Sequence, residues 1–202
     1  MIFDLFPMRI GFWNLGLGSA YDAALRDELL GVHQRHTTGP EIWDRTSHDI
    51  FDGSLPHCAL LADRAYAAIA EFIGQPNYID RIDGREIVRG HGVEIMPHSD
   101  ADYGHIHCAY FPQGGELDPD GDLRAQVNQY GDNGYAVCAT DFRTPGSRTP
   151  LMPWETHRKY WIKPMRGLLV AFDARAIHFQ KPYLGEGVFV QALINVRIKV
   201  PQ

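Results

Sequence analysis

The chain has 202 residues, of which 45% are hydrophobic and 22% are charged, and its formal net charge is −6. This composition is typical of a folded globular protein and excludes an intrinsically disordered chain, and the length suits one domain. The net negative charge argues against binding to a nucleic-acid backbone, which requires clustered lysine and arginine. We therefore expect one domain, residues 1–202, that acts on a small molecule.

The cysteines and the hydrophobicity pattern predict a cytoplasmic protein. Cys58, Cys108 and Cys138 are odd in number and widely spaced, which fits neither a disulfide framework nor a cysteine-based zinc site. No apolar run approaches the roughly 18 residues of a membrane span, and the amino terminus lacks the basic region of a signal peptide. We expect no membrane contact, and a homodimer is the base-rate expectation for assembly.

The first part of the chain, residues 1–84, is predicted to be mainly a helical support. Ser19 and Asp22 form a helix-start signal before an amphipathic helix over residues 23–32. A second helix is predicted over residues 55–73, where apolar residues recur at helical spacing and Gly74 supplies the stop.

The second part, residues 85–202, is predicted to be the β core. Glycine, proline and aspartate separate short β-type runs at residues 86–88, 93–96, 105–111, 135–140, 159–162, 168–172 and 188–200. Residues 113–134 are predicted to form a loop. Helices followed by many short strands indicate an α+β fold or a β-barrel buttressed by helices.

Three residues form a candidate metal site. His98 and Asp100 are two apart, so on a strand they aim at one point. His178, which follows the buried run 168–172 and a short turn, is the best candidate for a third ligand. Two imidazoles and one carboxylate on one side of a metal form the facial triad of non-haem Fe(II) oxygenases, which leaves positions open for reactants. By itself, however, His-x-Asp more often marks an ordinary histidine and a turn aspartate.

Short motifs along nearly the whole chain carry a family resemblance. They are Leu5-Phe6-Pro7-Met8, Phe72-Ile73-Gly74, Pro97-His98-Ser99-Asp100, His107-Cys108-Ala109-Tyr110-Phe111, Asp141-Phe142-Arg143, Ile162-Lys163-Pro164 with Gly167, Phe172, His178, Pro182-Tyr183 with Gly185-Glu186, and Asn195-Val196. In this order and spacing the chain resembles the Fe(II)/2-oxoglutarate oxygenases of bacteria and phages, in the double-stranded β-helix (jelly-roll) dioxygenase superfamily.

The resemblance implies both a fold and a chemistry. The fold would be a jelly-roll, cupin-like barrel buttressed by the N-terminal helices. His98, Asp100 and His178 would be the iron ligands, 2-oxoglutarate would be the cosubstrate, and O2 would be used to hydroxylate or otherwise oxidise a small molecule. Asp100 argues against a halogenase, for which the resemblance would imply a small residue at this position.

One position departs from the family pattern. The family usually carries an arginine about ten residues after the distal histidine, where it pairs with the far carboxylate of 2-oxoglutarate. Counting back from Asn195-Val196, that position is Phe189. A phenyl ring cannot pair with a carboxylate, and burying the carboxylate without a partner would cost several kcal/mol or more. Either another cation takes over or the cosubstrate is not 2-oxoglutarate.

The last predicted strand offers a choice of substitutes. Its even positions are apolar: Val190, Ala192, Ile194, Val196 and Ile198. Its odd positions are mixed: Phe189, Gln191, Leu193, Asn195 and Arg197. We expect the even face to pack on the helices and the odd face to line the pocket, although periodicity alone does not say which face is buried.

Gln191, Asn195 and Arg197 are then predicted to bind the cosubstrate. Arg197 is the first substitute because a guanidinium can hold a carboxylate through two parallel hydrogen bonds. The alternative is that Arg197 is a solvated surface charge. The next cations to consider are Arg143, Lys163, Arg166 and Lys181.

Other side chains are predicted to line the pocket. Tyr103, His105 and His107 share one strand face; His107 is expected to hydrogen-bond the cosubstrate, whereas Tyr103, His105 and Trp154 are expected to contact the substrate. A rival hypothesis makes His105 and His107 a second metal pair. Alternatively, Trp154 is a core residue that packs and does not contact the substrate.

Two further functional readings stay open. One keeps the iron but drops 2-oxoglutarate, so that the substrate itself chelates the metal, and Phe189 is its main support. The other is a non-catalytic, cupin-like protein that binds a metal or ligand without turnover.

Overall fold

The computed structural model describes residues 2–5, 8–36, 48–115, 135–138 and 159–199. The described helices are α1 (Ser19–His36), α2 (Pro56–Ile73) and a short 3-10 helix (Pro76–Tyr78). The described strands are β1 (Ile2–Leu5), β2 (Met8–Asn14), β3 (Ile79–Gly90), β4 (Ile95–His98), β5 (Ile106–Phe111), β6 (Tyr135–Cys138), β7 (Lys159–Ile162), β8 (Leu168–Asp173), β9 (Ile177–Gln180) and β10 (Val188–Ile198).

Both predicted helices are present. Leu25, Leu29 and Val32 are buried along one face of α1, as their spacing predicts. Helix α2 ends where Gly74 adopts a left-handed conformation, with φ 75°, and donates its N–H to the carbonyl groups of Ala70 and Glu71. Glycine adopts this conformation at little steric cost, so the C-terminal stop read from the sequence is confirmed.

The strands form two antiparallel sheets. The larger sheet has the order β1-β2-β8-β5-β10-β3, and the smaller sheet has the order β4-β9-β6-β7. Every paired set of named strands runs antiparallel. Within the described ranges, no pairing of named strands joins the larger sheet to the smaller one.

The two faces of the larger sheet bury two separate hydrophobic clusters. On one face, Val190 and Ile194 of β10 pack with Leu29 of α1 and Leu61 of α2. The other face contributes Phe172 to a cluster that includes residues of the smaller sheet. The protein is therefore layered as helices, larger sheet and smaller sheet. Burial of each large apolar side chain contributes about 1.5–3 kcal/mol.

The orientation predicted for the last strand is confirmed. The even positions 190–196 of β10 lie in the helix-facing cluster, and Ile198 packs against it. At the odd positions, Phe189 joins the cluster between the sheets, and Gln191 and Asn195 are buried.

Sequence analysis missed several strands. Strands β1 and β2 pair with each other, and β2 adds to β8, so the first part of the chain also contributes to the larger sheet. Strand β3 begins at Ile79 rather than at residue 86, because its charged first half pairs with the end of β10. Strand β9 was interpreted as a turn leading to a histidine; its four residues are too few for a clear periodic signal.

Neither α1 nor α2, nor any other helix in the described ranges, combines the length and the hydrophobicity that crossing a membrane requires.

Candidate metal centre

The strand register of the smaller sheet brings two histidines together. His98 is the last residue of β4 and lies directly opposite His178 of β9. Side chains opposite each other in an antiparallel pair share one face. The two imidazole centroids are 4.4 Å apart, although the residues are far apart in sequence.

Asp100 joins this pair from the turn after β4. Its backbone N–H donates to the carbonyl of Ala174 at 2.9 Å, and its own carbonyl accepts from the N–H of Tyr103. These bonds fix the turn, and the Asp100 side chain is buried. Nε2 of His98 lies 3.8 Å from Oδ1 of Asp100, and Nε2 of His178 lies 3.8 Å from Oδ2.

The three side chains offer one ligand atom each within a small space. These atoms of His98, Asp100 and His178 all lie within 4.8 Å of one another. Across the described part of the chain, this is the one group of three or more histidine, cysteine or acidic residues with such an arrangement. The structure therefore brings together the three residues that the sequence singles out.

Backbone carbonyls set the tautomers of both histidines. Nδ1 of His98 is 2.7 Å from the carbonyl oxygen of Met96, and Nδ1 of His178 is 3.1 Å from that of Ala176. A carbonyl oxygen only accepts, so each Nδ1 must carry the proton and donate. Nε2 is then the nitrogen left to bind a metal, and in both histidines it faces Asp100.

His107 supports the carboxylate from the larger sheet. Its Nδ1 lies 2.6 Å from Oδ2 of Asp100. Its ring packs 4.8 Å from the ring of Phe172 and 4.3 Å from that of His178, measured between centroids. Because the His107 and Asp100 side chains are both almost fully buried, this contact fixes the orientation of the carboxylate. The role in cosubstrate binding that the sequence suggests for His107 stays a prediction.

The surroundings lower the pKa of Asp100 and of His178. Burial alone would raise the pKa of Asp100, but the hydrogen bond from His107 and the charges of the surrounding imidazoles lower it below its ordinary value. Burial, followed by the charges of His107 and His98, lowers the pKa of His178 well below its usual value. Metal ligands must be deprotonated, and both shifts favour the deprotonated form of the group concerned. One carboxylate and two imidazoles form a ligand set that fits a divalent transition metal such as Fe(II).

The buried polar residues of β10 lie on the sheet face that carries His107. Asn195 is directly opposite His107 of β5, and Gln191 lies four residues earlier on β10 and so on the same face. Both side chains are buried. Their contact with a cosubstrate stays a prediction.

Three predicted pocket residues lie in a different cavity. Arg197 is exposed, and its Nε is 3.5 Å from the carbonyl oxygen of Tyr103. Arg197, Tyr103 and His105 line a cavity of about 870 Å³ whose lining includes none of the three clustered residues. This placement favours the alternative in which Arg197 is a surface charge. A shift of register between Arg197 and Ile198 marks where β10 departs from its regular pairing.

The structure gives no support to a second metal pair. His105 is exposed, and its Nδ1 accepts the N–H of Ile198 at 3.1 Å. His107 contacts Asp100 instead. Trp154, which sequence analysis assigned to the substrate cleft, lies outside the described residues.

One fully buried cation was missed. Arg89 lies on β3 directly opposite Phe189 of β10, and none of its guanidinium is accessible to solvent. A single arginine near a strand end is normally a surface residue, so sequence analysis passed over it. The available signal was alternation: Val88 belongs to the helix-facing core, which turns Arg89 to the opposite face.

Comparisons with known proteins identify the fold. No protein-family model matches the sequence, and no curated protein matches it. Among solved structures, a prolyl-4-hydroxylase of Pseudomonas putida is similar over 98% of this chain and 96% of its own, with 14% identity and a TM-score of 0.64.

Two further structures have the same relationship to this chain. HygX from Streptomyces hygroscopicus, solved with nickel and 2-oxoglutarate bound, is similar over 92% of this chain and 80% of its own, with 14% identity and a TM-score of 0.62. SnoN, described as a non-haem α-ketoglutarate-dependent epimerase of nogalamycin biosynthesis, is similar over 92% of this chain and 76% of its own, with 11% identity and a TM-score of 0.63. The chain thus shares the fold of these three proteins.

Proposed function

We propose that this protein is a non-haem Fe(II)-dependent oxygenase that uses 2-oxoglutarate to hydroxylate or otherwise oxidise a small molecule. The observation that carries the proposal is the cluster of His98, Asp100 and His178, whose ligand atoms lie within 4.8 Å of one another. Two imidazoles and one carboxylate are the ligands of the facial triad, and three protein ligands leave coordination positions for reactants.

The topology supports the same proposal. From β3 to β10 the chain passes repeatedly between the larger and the smaller sheet, with β6 and β7 as the hairpin within the smaller one. This path is that of a double-stranded β-helix, or jelly roll. In this fold the two histidines are contributed by paired strands of the smaller sheet.

The residues of the chain would hold and shield the reacting groups. Fe(II) with 2-oxoglutarate and O2 supplies an oxidant strong enough to attack a C–H bond, and the protein supplies binding, orientation and exclusion of water. His107 would keep the Asp100 carboxylate turned towards the metal, because it binds the other oxygen of that group. The buried ring of Phe172 packs beside His107 and His178 and would keep water from that side of the site.

The partners we propose are O2 and a small-molecule substrate. The net charge of −6 argues against a nucleic acid, as set out above. The free, buried thiols of Cys58 and Cys108 are compatible with the reducing cytoplasm that we propose as the location. A homodimer remains our proposal for assembly, on base rates.

The test is an anaerobic titration of the protein with Fe(II) and then with 2-oxoglutarate, in which the visible charge-transfer band of a chelated keto acid is followed. We expect a band that saturates. The Asp100→Ala variant is expected to lose iron binding, whereas Asp102→Ala, an exposed aspartate two residues further on, is the matched control. If Asp100→Ala binds iron as tightly as the wild type, the proposal that His98, Asp100 and His178 hold the iron is wrong.

A second candidate function is favoured by one observation. Phe189 is 2% exposed and occupies the position at which similar oxygenases are expected to carry arginine. An iron oxygenase whose substrate chelates the metal directly would need no such arginine. Fe(II) binding without the charge-transfer band, together with O2 consumption on addition of a substrate, would favour this candidate; Fe(II) binding with no O2 consumption under any condition would favour a binding protein.

A further inference from the structure

Arg89 is a charged side chain in an unusual place. Among the described residues it is the one lysine or arginine that is fully buried, and it leads the fully buried side chains in size. Its Nη1 donates to the carbonyl oxygens of Lys181 at 3.0 Å and of Val93 at 3.2 Å. A guanidinium stays charged at every physiological pH. Burying that charge costs free energy. A residue kept at such a position is therefore a candidate for binding a charged ligand.

Arg89 occupies the space beside the position where the family arginine is missing. It pairs directly with Phe189 across the β3–β10 ladder, so both side chains are on one face of the sheet. Its guanidinium carbon lies 5.2 Å from the centroid of the Phe189 ring. Phe189 belongs to the cluster between the two sheets, and Arg89 therefore delivers a cation from the neighbouring strand to the same interior.

Arg89 contacts the segment that follows His178 along the chain. The carbonyl that Arg89 contacts belongs to Lys181, three residues beyond His178. Three residues of extended chain span about 10 Å. The backbone of Lys181 is therefore no more than about this distance from the backbone of His178, and the Arg89 guanidinium lies beside the segment that carries a candidate metal ligand. The buried side chains of Gln180 and Gln191 provide polar groups along the same interior faces.

We propose that Arg89 binds the far carboxylate of 2-oxoglutarate and makes the site selective for dicarboxylate keto acids. This inference rests on the proposed function, because it requires a keto acid bound at the metal. The planar fork of a guanidinium can hold a carboxylate through two parallel hydrogen bonds. The guanidinium lies over the Phe189 ring, and the face of an aromatic ring attracts a cation. Phe189 therefore stabilises Arg89 in this role.

Among the other cations that the sequence offers, Arg143 lies outside the described residues, and Arg166 and Lys181 are only partly buried. The two remaining rivals line cavities. Lys163 lines a cavity of about 390 Å³ together with Tyr183 and Phe189. Arg197 is exposed and lines the separate cavity described above. Neither combines full burial with direct pairing to Phe189, which is why we assign the carboxylate to Arg89.

The experiment compares two keto acids that differ in the far carboxylate. The anaerobic Fe(II) protein is titrated with 2-oxoglutarate and, separately, with 2-oxopentanoate, and the binding constants are measured by calorimetry and by the charge-transfer band. The wild type is expected to prefer 2-oxoglutarate. In Arg89→Met this preference is expected to fall by about tenfold or more, because a hydrogen bond to a charged group is lost, while affinities for Fe(II) and 2-oxopentanoate stay nearly unchanged. A merely structural role would weaken both keto acids equally.

Matched variants isolate the effect. Arg85 lies on the same face of β3 and is partly buried, so Arg85→Met is the control and is expected to keep the full preference. Arg89→Lys keeps the positive charge but loses the two parallel N–H donors of the guanidinium. It is expected to retain part of the preference for 2-oxoglutarate, and it replaces Arg89→Met in the experiment if that variant fails to fold. The double variant Arg89→Met with Phe189→Arg, which moves the cation to the paired position, is expected to recover the preference.

The outcomes separate the inference from the proposed function. If the wild type prefers 2-oxoglutarate and Arg89→Met and Arg89→Lys keep the full preference, the inference alone is overturned. If Lys163→Met or Arg197→Met removes the preference instead, the carboxylate belongs to that rival and the inference is also overturned. If the wild type binds Fe(II) but shows no preference, both the inference and the use of 2-oxoglutarate are overturned.

Discussion

His107 binds Asp100 across the two layers of the protein: Nδ1 of the histidine on β5 is 2.6 Å from Oδ2 of the aspartate beyond β4. The contact links the larger sheet to the turn that carries a proposed metal ligand. Partners of this kind typically change metal affinity by 10- to 100-fold when removed. The relationship therefore leads directly to a measurable prediction.

We expect His107→Ala to weaken Fe(II) or Co(II) binding by roughly 10- to 100-fold. The variant removes the donor that fixes the Asp100 carboxylate but leaves His98, Asp100 and His178 in place. Calorimetric titration with Co(II) measures the effect. His105→Ala is the control, because His105 is exposed and contacts the backbone of Ile198. Equal losses in the two variants would contradict an orienting role for His107.

Metal binding is expected to stabilise the folded protein. A ligand that binds the folded state alone, at a free concentration of 100 times its Kd, adds about 2.7 kcal/mol to the free energy of unfolding. Thermal unfolding with and without Co(II) measures this as a rise in Tm that a chelator reverses. Asp100→Ala should show no rise, whereas Asp102→Ala should behave as the wild type. A similar rise in Asp100→Ala would place the metal elsewhere.

Tyr110 and Asp22 join the larger sheet to α1. The Tyr110 hydroxyl donates to Oδ1 of Asp22, and both side chains are buried. Burial, followed by the hydrogen bond to Asp22, raises the pKa of Tyr110. Tyr110→Phe should lower the free energy of unfolding by about 1.5–3 kcal/mol, the contribution of a hydrogen bond to a charged group.

Urea denaturation measures this loss, and Tyr66→Phe is the matched control. Tyr66 lies on α2, is 43% exposed and makes a longer hydrogen bond of 3.4 Å to the carbonyl of Pro76. Its substitution should change stability by less than about 0.5 kcal/mol. If both variants lose the same stability, the Tyr110–Asp22 bond contributes nothing specific.

The buried thiols should resist modification until high pH. Burial raises the pKa of Cys58 and of Cys108, and the carboxylate of Glu28 adds to the effect at Cys58. The reactive thiolate is therefore scarce in the folded state. In a Cys138→Ala background, both thiols should react with an aromatic disulfide reagent at pH 8 more than about tenfold slower than in denaturant. Rapid labelling of the folded protein would contradict this account.

The same shifts set the sign of the pH dependence of stability. The folded pKa of each thiol is above the unfolded value of about 8.5, so above that pH the unfolded state releases protons that the folded state retains. The buried, protonated thiols therefore contribute fully to the free energy of unfolding below pH 8.5, and this contribution is lost as the pH rises above that value. Urea denaturation at pH 7.5 and pH 9.5 should give a lower free energy of unfolding at the higher pH.

The sequence by itself determined the features that depend on local periodicity. The buried helix faces and the two faces of β10 follow from spacings of 3.6 and 2 residues. The stop at Gly74 follows from the conformational freedom of glycine. The structure confirms these features. The closeness of His98 and Asp100 also needed no long-range information, because they are two residues apart. Strand alternation is not its cause, however, since β4 ends at His98 and Asp100 lies in the turn that follows.

Only the tertiary structure decided which distant residues meet. Strand register places His178 opposite His98 and Arg89 opposite Phe189, and it leaves Arg197 at an exposed strand end. Register is set by hydrophobic faces and turns acting together, and a shift of one residue would reverse every side chain. The sequence alone therefore shows that phenylalanine stands at position 189, where an arginine was expected. Only the strand register shows that a buried guanidinium, that of Arg89, lies beside it on another strand.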